Sequence, residues 1–156
     1  MVEMREVKLP DEQAELTAME ERIFSTDRFQ SWAGYEVFWM IFHDQKVGSI
    51  AFVPNLMPGL SWDEDAENQG NLWLVSIGVD PDFQRMEIGT EAMHWLINHA
   101  RERGIPRIIS NFRVSNHASR RLHQKCGFET VSIIPDYYRD PQEDAELVRF
   151  DFTKVP

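Results

Sequence analysis

The sequence has one cysteine, no long apolar run and few basic residues. Cys126 is the single cysteine among 156 residues, which excludes an intramolecular disulfide and a cysteine-rich metal site. No apolar stretch reaches the ~18–20 residues that a membrane-spanning helix requires. The first residues also lack the pattern of a signal peptide. We therefore expect a cytoplasmic protein, in a reducing compartment, with no membrane partner.

The shortage of basic residues is confined to the first half of the chain. Residues 1–80 contain 15 acidic and 5 basic residues, whereas residues 81–156 contain 11 of each, so the net charge of −10 arises from the first half. So acidic a chain lacks the basic face that phosphate contacts require, and we expect no nucleic-acid partner. Between residues 101 and 125, seven basic residues face only Glu102. Such a patch indicates either one anionic ligand or a solvated helix face.

Apolar residues make up 42% of the chain, which is enough for a core. No repeat or linker divides the chain, so we expect a single domain over residues 1–156. Strand and helix patterns follow in the order β-α-β-β-β-α-β-α-β-β. The unit over residues 72–112 implies a parallel, right-handed crossover in an otherwise antiparallel sheet. The sequence thus predicts an α/β fold of the mixed α+β kind, with about seven strands flanked by helices.

Strands and helices are predicted from periodicity, turn residues and caps. The predicted strands span residues 3–9, 35–43, 46–53, 72–79, 107–112, 128–134 and 145–152. The predicted helices begin after Pro10, span residues 88–103, and extend from a cap at 115–116 through Cys126. Residues 55–71 form a long polar connection, and loops of that length commonly have a functional role.

The segment from Ile77 to Thr90 runs from a strand through a short loop into a helix. The unpaired amides and the dipole at a helix N-terminus suit a pyrophosphate group. On the residues alone, an ordinary strand–helix turn is the simpler interpretation.

The order of motifs in this half of the chain resembles the GNAT superfamily of N-acetyltransferases. Residues 77–84 read Ile-x-Val-x-Pro-x-Phe-Gln and are followed by Ile-Gly-Thr at 88–90, which is similar to the coenzyme A loop of that family. Arg-x-Ser-Asn-x-Ala at 113–118 and Gly-Phe at 127–128 resemble its next motif. Tyr-Tyr at 137–138, followed by Asp-Ala at 144–145, resembles the subgroup of ribosomal-protein alanine N-acetyltransferases. The resemblance covers residues 72–152 well, and the first 70 residues only in the order of elements.

The resemblance implies acetyl-CoA as co-substrate and direct attack on its thioester by a primary amine, either a protein or peptide N-terminus or a small cationic amine. Backbone groups of Ile77 and Val79 would pair with the pantetheine arm, amides from Arg85 to Thr90 would hold the pyrophosphate, and the basic patch would attract the 3′-phosphate. The positions implied to contact the cofactor are Ile77, Gly78, Val79, Gln84, Arg85, Met86, Glu87, Ile88, Gly89, Thr90, Asn116 and His123.

Three positions depart from the family pattern. Glu87 replaces the first glycine of the phosphate loop, where its carboxylate either points to solvent or repels the phosphates. Asn111 stands where the N-terminal acetyltransferase subgroup has a glutamate base, and His123 stands where it has a tyrosine acid. Asn111 cannot accept a proton. We expect His123 to lie near the thioester sulfur and to protonate the departing thiolate, unless it is simply a packed helix histidine.

Without a base, the acceptor amine must arrive already deprotonated. An α-amino group of pKa ~7.7–8 is roughly 10–20% neutral at pH 7, whereas a lysine of pKa ~10.4 is about 0.04% neutral. An α-amine is therefore the easier acceptor. A carboxylate of the 55–71 loop, such as Glu67, offers an alternative route for the proton. By resemblance, Tyr137 and Tyr138 line the acceptor site; as an alternative they only pack at a strand end.

Other interpretations stay open at this stage. Cys126 is expected to be a buried structural thiol, and His94 and His99 are wrongly spaced for a metal site on one helix face, so no metal is expected. A degenerate acyl-CoA-binding or interaction module without turnover is the main alternative to an enzyme, and a plain structural domain is a third. The oligomeric state is open, with a homodimer among the states considered.

Overall fold

A computed structural model describes residues 1–24, 34–54 and 70–154. The predicted order of strands and helices is confirmed, with a short 3-10 helix added at Pro81–Phe83. The elements are β1 (Glu3–Glu6), α1 (Gln13–Ile23), β2 (Glu36–Phe42), β3 (Gln45–Val53), β4 (Leu72–Val79), α2 (Ile88–Glu102), β5 (Arg107–Arg113), α3 (His117–Lys125), β6 (Glu129–Tyr138) and β7 (Glu143–Asp151).

Most element boundaries lie within a few residues of the prediction, and β6 is the main exception. It continues to Tyr138, where the sequence predicted an end at Ile134. The extra residues are held in a hairpin in which Tyr138 lies opposite Glu143 of β7, across a shift in register. The sequence pattern did not predict this extension, because it begins at Pro135 and proline normally ends a strand.

The strands in the described residues form one sheet of seven, in the order β1-β2-β3-β4-β5-β7-β6. Only β4 and β5 are parallel, as the crossover through α2 requires, and the other neighbours are antiparallel. The predicted mixed, mostly antiparallel sheet is thus confirmed. No helix within the described ranges is both long and apolar enough to cross a bilayer.

Helices cover the two faces of the sheet. Alternate residues of β2 point to opposite sides, so that Trp39 packs with Leu16 of α1, and Met40 joins the larger core that includes Leu96 of α2. All of these side chains are fully buried. Burial of one such side chain contributes about 1.5–3 kcal/mol. This two-sided burial explains why the central strands read as continuous apolar runs.

The sheet opens between β4 and β5. The two strands pair over only three residues, and Leu74 opposite Ser110 is the last pair. On its other edge, β4 pairs Leu74 with Phe52 and Ser76 with Ala51, which leaves Val75 as an extra residue in a β-bulge. A bulge bends a strand and increases its twist. Beyond Val75 the strands therefore separate, and we call the gap between residues 75–79 of β4 and residues 111–113 of β5 the fork.

Helices α2 and α3 both end at glycines in the left-handed region, as predicted. Gly104 has φ 70° and Gly127 has φ 97°. Behind Gly127, the amide of Phe128 donates to the carbonyl of His123 at 2.9 Å, which is the hydrogen bond of a Schellman cap. This cap turns the chain from α3 into β6 and holds Phe128 against the His123 ring, with 5.0 Å between ring centroids.

The two caps make a matched pair for a stability test. A Cβ at Gly104 would meet no atom within 4 Å, whereas one at Gly127 would lie 3.1 Å from the Phe150 ring. We expect G104A to cost about 1 kcal/mol, because only the left-handed backbone is strained, and G127A to cost more. At about 2–4 °C per kcal/mol, differential scanning calorimetry resolves the difference. Equal melting temperatures for the two variants would contradict the prediction that G127A is the more destabilising change.

Candidate active site

The fork leads into a cleft that encloses about 550 Å³ of space continuous with solvent. Its lining comes from both strands of the fork, from α3 and from the end of β6. The lining residues that carry polar groups relevant to chemistry are Ser76, Ser110, Asn111, Asn116, His123 and Tyr138. The predicted site residues Ile77, Asn111, Asn116, His123 and Tyr138 thus meet in one place, although they lie up to 61 positions apart in the chain.

The edge of β4 inside the fork presents backbone groups to the cleft. The amide of Asp80 donates to Val47 of β3 at 2.7 Å, so the backbone of Asp80 faces β3. Because successive residues of a strand point their N–H and C=O groups in opposite directions, those of Ile77 and Val79 face the fork. The Val79 carbonyl accepts a hydrogen bond from Gln84 Nε2 at 3.2 Å, which agrees with this direction. An extended ligand could add to this edge as a strand does.

The N-terminus of α2 lies directly after this edge. The first bond of the helix runs from the Glu91 amide to the Glu87 carbonyl at 3.0 Å. The amides of Ile88, Gly89 and Thr90 precede that bond and therefore have no acceptor within the helix. Together with the helix dipole they form an arrangement that suits a phosphate group.

Glu87 retains the backbone of the glycine that it replaces. Its φ is 62°, in the left-handed region, and Arg85 has φ 68°. Its side chain turns toward α3 and pairs with Lys125, and this ion pair lowers the pKa of Glu87. The side chain is 65% exposed. Of the two alternatives considered from sequence, the structure shows the one in which Glu87 points outward.

An ion pair that the sequence did not reveal ties α1 to the start of the loop. Arg22 donates from Nε and Nη2 to the two carboxylate oxygens of Asp80, at 2.8 and 2.9 Å. Asp80 also caps the 3-10 helix by accepting from the Asp82 amide at 2.9 Å. The Arg22 guanidinium holds the pKa of Asp80 below its usual range. With 58 positions between the partners, no local pattern could have indicated this contact.

Asn111 is fixed by two aromatic residues at the mouth of the cleft. Its Oδ1 accepts from Trp73 Nε1 at 3.3 Å, and its Nδ2 donates to the Tyr138 hydroxyl at 2.9 Å. The Arg113 guanidinium lies 4.5 Å from the centre of the Tyr138 ring. Asn111 therefore orients Tyr138, and the absence of a carboxylate here means that this position offers no proton acceptor.

Tyr137 lies beside Tyr138, with the rings edge to face at a centroid distance of 4.9 Å. Burial raises the pKa of Tyr137, and a hydrogen bond with Asn111 acts in the opposite direction. The Tyr137 phenol is therefore neutral at physiological pH. Glu67, the third residue predicted to contact the acceptor, lies outside the described residues.

His123 is deeply buried at the floor of the cleft, with 1% of its surface exposed. Its Nδ1 is 2.7 Å from the backbone carbonyl of Ser119, and its Nε2 is 2.9 Å from Ser110 Oγ. Because a carbonyl only accepts, Nδ1 carries the proton, and Nε2 accepts from the Ser110 hydroxyl. Burial lowers the pKa of His123. A neutral imidazole whose free nitrogen is an acceptor is poorly suited to the acid role predicted for His123.

The predicted basic patch at residues 101–125 is not a single free surface. Arg103 pairs with Glu36, Arg120 with Glu146 and Lys125 with Glu87. Arg107 and Arg113 likewise contact Asp151 and Glu143. The count of charged residues between positions 101 and 125 did not include these carboxylates, because all of them lie outside that segment. The structure therefore gives little support to a phosphate site formed by this patch as a whole.

Two further expectations concern Asn116 and Cys126. Asn116 caps α3, as predicted, because its Oδ1 accepts from the Ser119 amide at 3.1 Å, and the residue also lines the cleft. Cys126 is buried, and burial raises the pKa of its thiol, which disfavours a nucleophilic role. Over the described part of the chain, no group of three or more histidine, cysteine or acidic residues is arranged to hold a metal ion.

Comparison with known proteins identifies the family of the chain. Residues 2–128 match the acetyltransferase (GNAT) family, and the chain belongs to that family. The [ribosomal protein bS18]-alanine N-acetyltransferase of Escherichia coli (strain K12) is 36% identical over 77 residues, which cover 48% of this chain and 52% of that protein. The chain thus spans about half the length of the curated relatives it matches.

Solved structures show the same fold. The crystal structure of the ribosomal-protein-S18-alanine N-acetyltransferase from Escherichia coli has a TM-score of 0.72 at 22% identity, over 100% of this chain and 97% of that chain. Arabidopsis thaliana Naa50, in complex with the bisubstrate analogue CoA-Ac-MVNAL, has a TM-score of 0.78 at 17% identity, over 97% of this chain and 99% of that chain.

The buried, neutral state of His123 predicts a pH dependence of stability. Because its pKa is lower in the folded than in the unfolded protein, acidification below about pH 6.5 protonates the unfolded chain first and lowers the free energy of unfolding. H123F removes this contribution. We expect the wild type to lose more stability than H123F between pH 7.5 and pH 5 in urea titrations. If the wild type and H123F lost the same stability over this range, the pKa of His123 would be the same in the folded and unfolded protein.

Proposed function

We propose that this chain transfers an acetyl group from acetyl-CoA to a primary amine. The observation that carries the proposal is the fork, in which the free edge of β4 leads directly to the first amides of α2, which have no acceptor within the helix. An extended pantetheine arm fits such an edge, and a pyrophosphate fits such a helix end. The family of the chain and the ligand named in the Naa50 complex support the same ligand.

In this proposal, Ile77 and Val79 pair with the amide groups of pantetheine, and Ile88, Gly89 and Thr90 hold the pyrophosphate. Gly78 contributes by its size, because a Cβ there would lie 2.7 Å from the Phe24 ring, which lines the cleft. The acceptor nitrogen attacks the thioester carbonyl in a ternary complex, and backbone amides at the fork polarise that carbonyl. No covalent acetyl-enzyme is formed.

The acceptor approaches from the side of Tyr137, Tyr138 and Asn111. The Escherichia coli relative is named for an alanine of a ribosomal protein, and Naa50 is complexed with a peptide-like analogue. The acidic first half of the chain favours a cationic acceptor. Because Asn111 cannot accept a proton, an α-amine is favoured over lysine. A small cationic amine is the alternative acceptor.

Several expectations from sequence remain part of the proposal. Residues 1–156 act as one N-acetyltransferase domain in the cytoplasm, without a nucleic-acid or membrane partner. A homodimer stays among the oligomeric states considered, and size-exclusion chromatography with light scattering tests it.

Binding of acetyl-CoA is the first test. Ligand at about 100 times its dissociation constant should add ~2.7 kcal/mol to the free energy of unfolding, which raises the melting temperature by several degrees. E87G should bind more tightly than the wild type, because it releases Lys125 from its ion pair and leaves that cation free to attract the phosphates. Both are measured by thermal-shift titration and isothermal calorimetry.

K154A is a matched control for the loss of a surface ion pair, since Lys154 pairs with Glu129 and neither residue lines the cleft. The affinity of K154A for acetyl-CoA should equal that of the wild type. No thermal shift at millimolar acetyl-CoA would refute the transferase. Binding without thiol release on any amine would instead favour a binding module without turnover.

Acceptor choice follows from amine pKa. At pH 7, an N-terminal alanine peptide should be acetylated at least tenfold faster than the same peptide with a blocked N-terminus and one internal lysine, because the neutral fraction of the α-amine is larger by two orders of magnitude or more. Thiol release, with mass spectrometry of the product, measures both rates. A lysine peptide that reacts as fast would contradict the requirement that the acceptor amine arrive already neutral.

A further inference from the structure

Ser110 and His123 form a hydrogen-bonded pair for which the proposed function has no use so far. Ser110 Oγ is 2.9 Å from His123 Nε2, and the Ser119 carbonyl orients the ring from the other side at 2.7 Å. The Phe112 and Phe128 rings lie 5.0 Å from the imidazole on either side. A hydroxyl on the lone pair of an imidazole, with a third group fixing the tautomer, is the arrangement of an activated serine.

The position of the pair relates it to the reaction. Ser110 is the last residue of β5 that pairs with β4, so it lies where the fork opens. Ser110 and His123 both line the cleft, although only 3% and 1% of their surfaces are exposed. A proton held there is shielded from bulk water. Asn111, the next residue along β5, stands where the N-terminal acetyltransferase subgroup has its base and cannot accept a proton.

We propose that the Ser110–His123 pair acts as the proton relay of acetyl transfer, with His123 as base through the Ser110 hydroxyl. This inference rests on the proposed function. It reverses the role expected from sequence, in which His123 was an acid that met the thiolate directly.

The relay returns every proton that it takes. As the acceptor nitrogen forms its bond to the thioester carbon, its surplus proton passes to Ser110 Oγ, and the Ser110 proton passes to His123 Nε2. The carbon–sulfur bond then breaks, and the imidazolium returns its proton through Ser110 to the thiolate. The products are the amide and the thiol of coenzyme A, and the protein ends in its starting state.

Charged groups around His123 allow the imidazolium to form transiently. Glu146 of β7 is 5% exposed and raises the pKa of His123, against the larger effect of burial. Arg120 of α3 donates to Glu146 at 2.9 Å, and Thr130 of β6 donates to it at 2.7 Å. Across the cleft, the hydroxyl of Tyr138 is held by Asn111. Because burial lowers the pKa of His123, the ring is neutral before the reaction begins, and only a neutral imidazole can accept a proton.

The test compares the pH dependence of S110A with that of the wild type. With acetyl-CoA and an N-terminal alanine peptide, we expect kcat of S110A to fall about 100-fold at pH 7, within the range for a general base, with KM nearly unchanged. The loss should shrink to about threefold or less at pH 9.5, because hydroxide and buffer base are more abundant there and can take the surplus proton in place of the relay. The loss of kcat in H123F should likewise become smaller as the pH rises. S110T keeps the hydroxyl and should recover most of the wild-type kcat.

S49A is the matched control, because Ser49 is a buried serine of β3 that lies outside the cleft. Its rate ratio to the wild type should not change with pH. A loss in S110A that is equal at every pH, or no loss, would overturn the relay while leaving acetyl transfer intact. If the melting temperature of S110A is well below that of the wild type, the pH dependence of kcat in H123F and S110T tests the relay without it. Absence of turnover by the wild type with any amine would overturn the proposed function, and the relay with it.

Discussion

The separation of β4 from β5 is the constraint on which the rest of the site depends. One extra residue, Val75, is enough to split a pair of strands that are otherwise adjacent and parallel. The split leaves the backbone of Ile77 and Val79 without a neighbouring strand, and a polar edge of this kind needs a hydrogen-bonding partner. It also opens the floor of the cleft at Ser110. A regular sheet at this point would have neither an edge for a ligand nor a cavity for a reaction.

Ion pairs between distant segments hold the surroundings of the fork in position. Arg22 connects α1 with Asp80 at the end of β4, and Lys125 connects α3 with Glu87 in the phosphate loop. The exposed pair of Lys125 with Glu87 adds little to global stability, whereas Arg22 offsets the burial of the Asp80 carboxylate. Their contribution is geometric, because each one fixes an element that borders the cleft to the loop between β4 and α2.

The polar residues of the cleft divide into two groups on opposite faces of β5. Asn111 points toward Trp73 and Tyr138, where the acceptor is proposed to bind, whereas Ser110 points toward His123 on α3. Adjacent residues of one strand thus have different roles, since Asn111 orients Tyr138 and Ser110 bonds to His123. Because Asn111 cannot accept a proton and His123 is neutral, proton transfer in this chain need not follow the residues that its relatives use for it.

The amino-acid sequence by itself determined the order of elements, the parallel crossover, the glycine caps and the family. These follow from local periodicity and from motifs whose spacing is set within a few dozen residues. It also indicated five of the residues that line the cleft, namely Ile77, Asn111, Asn116, His123 and Tyr138, but not Ser110. It could not show that Glu87 adopts a glycine-like backbone, that the basic patch is paired with remote carboxylates, or that Arg22 contacts Asp80. Nor could it show which nitrogen of His123 carries the proton. Only the tertiary structure decided these points, because each depends on contacts between residues far apart in the chain or on burial, and neither leaves a local pattern.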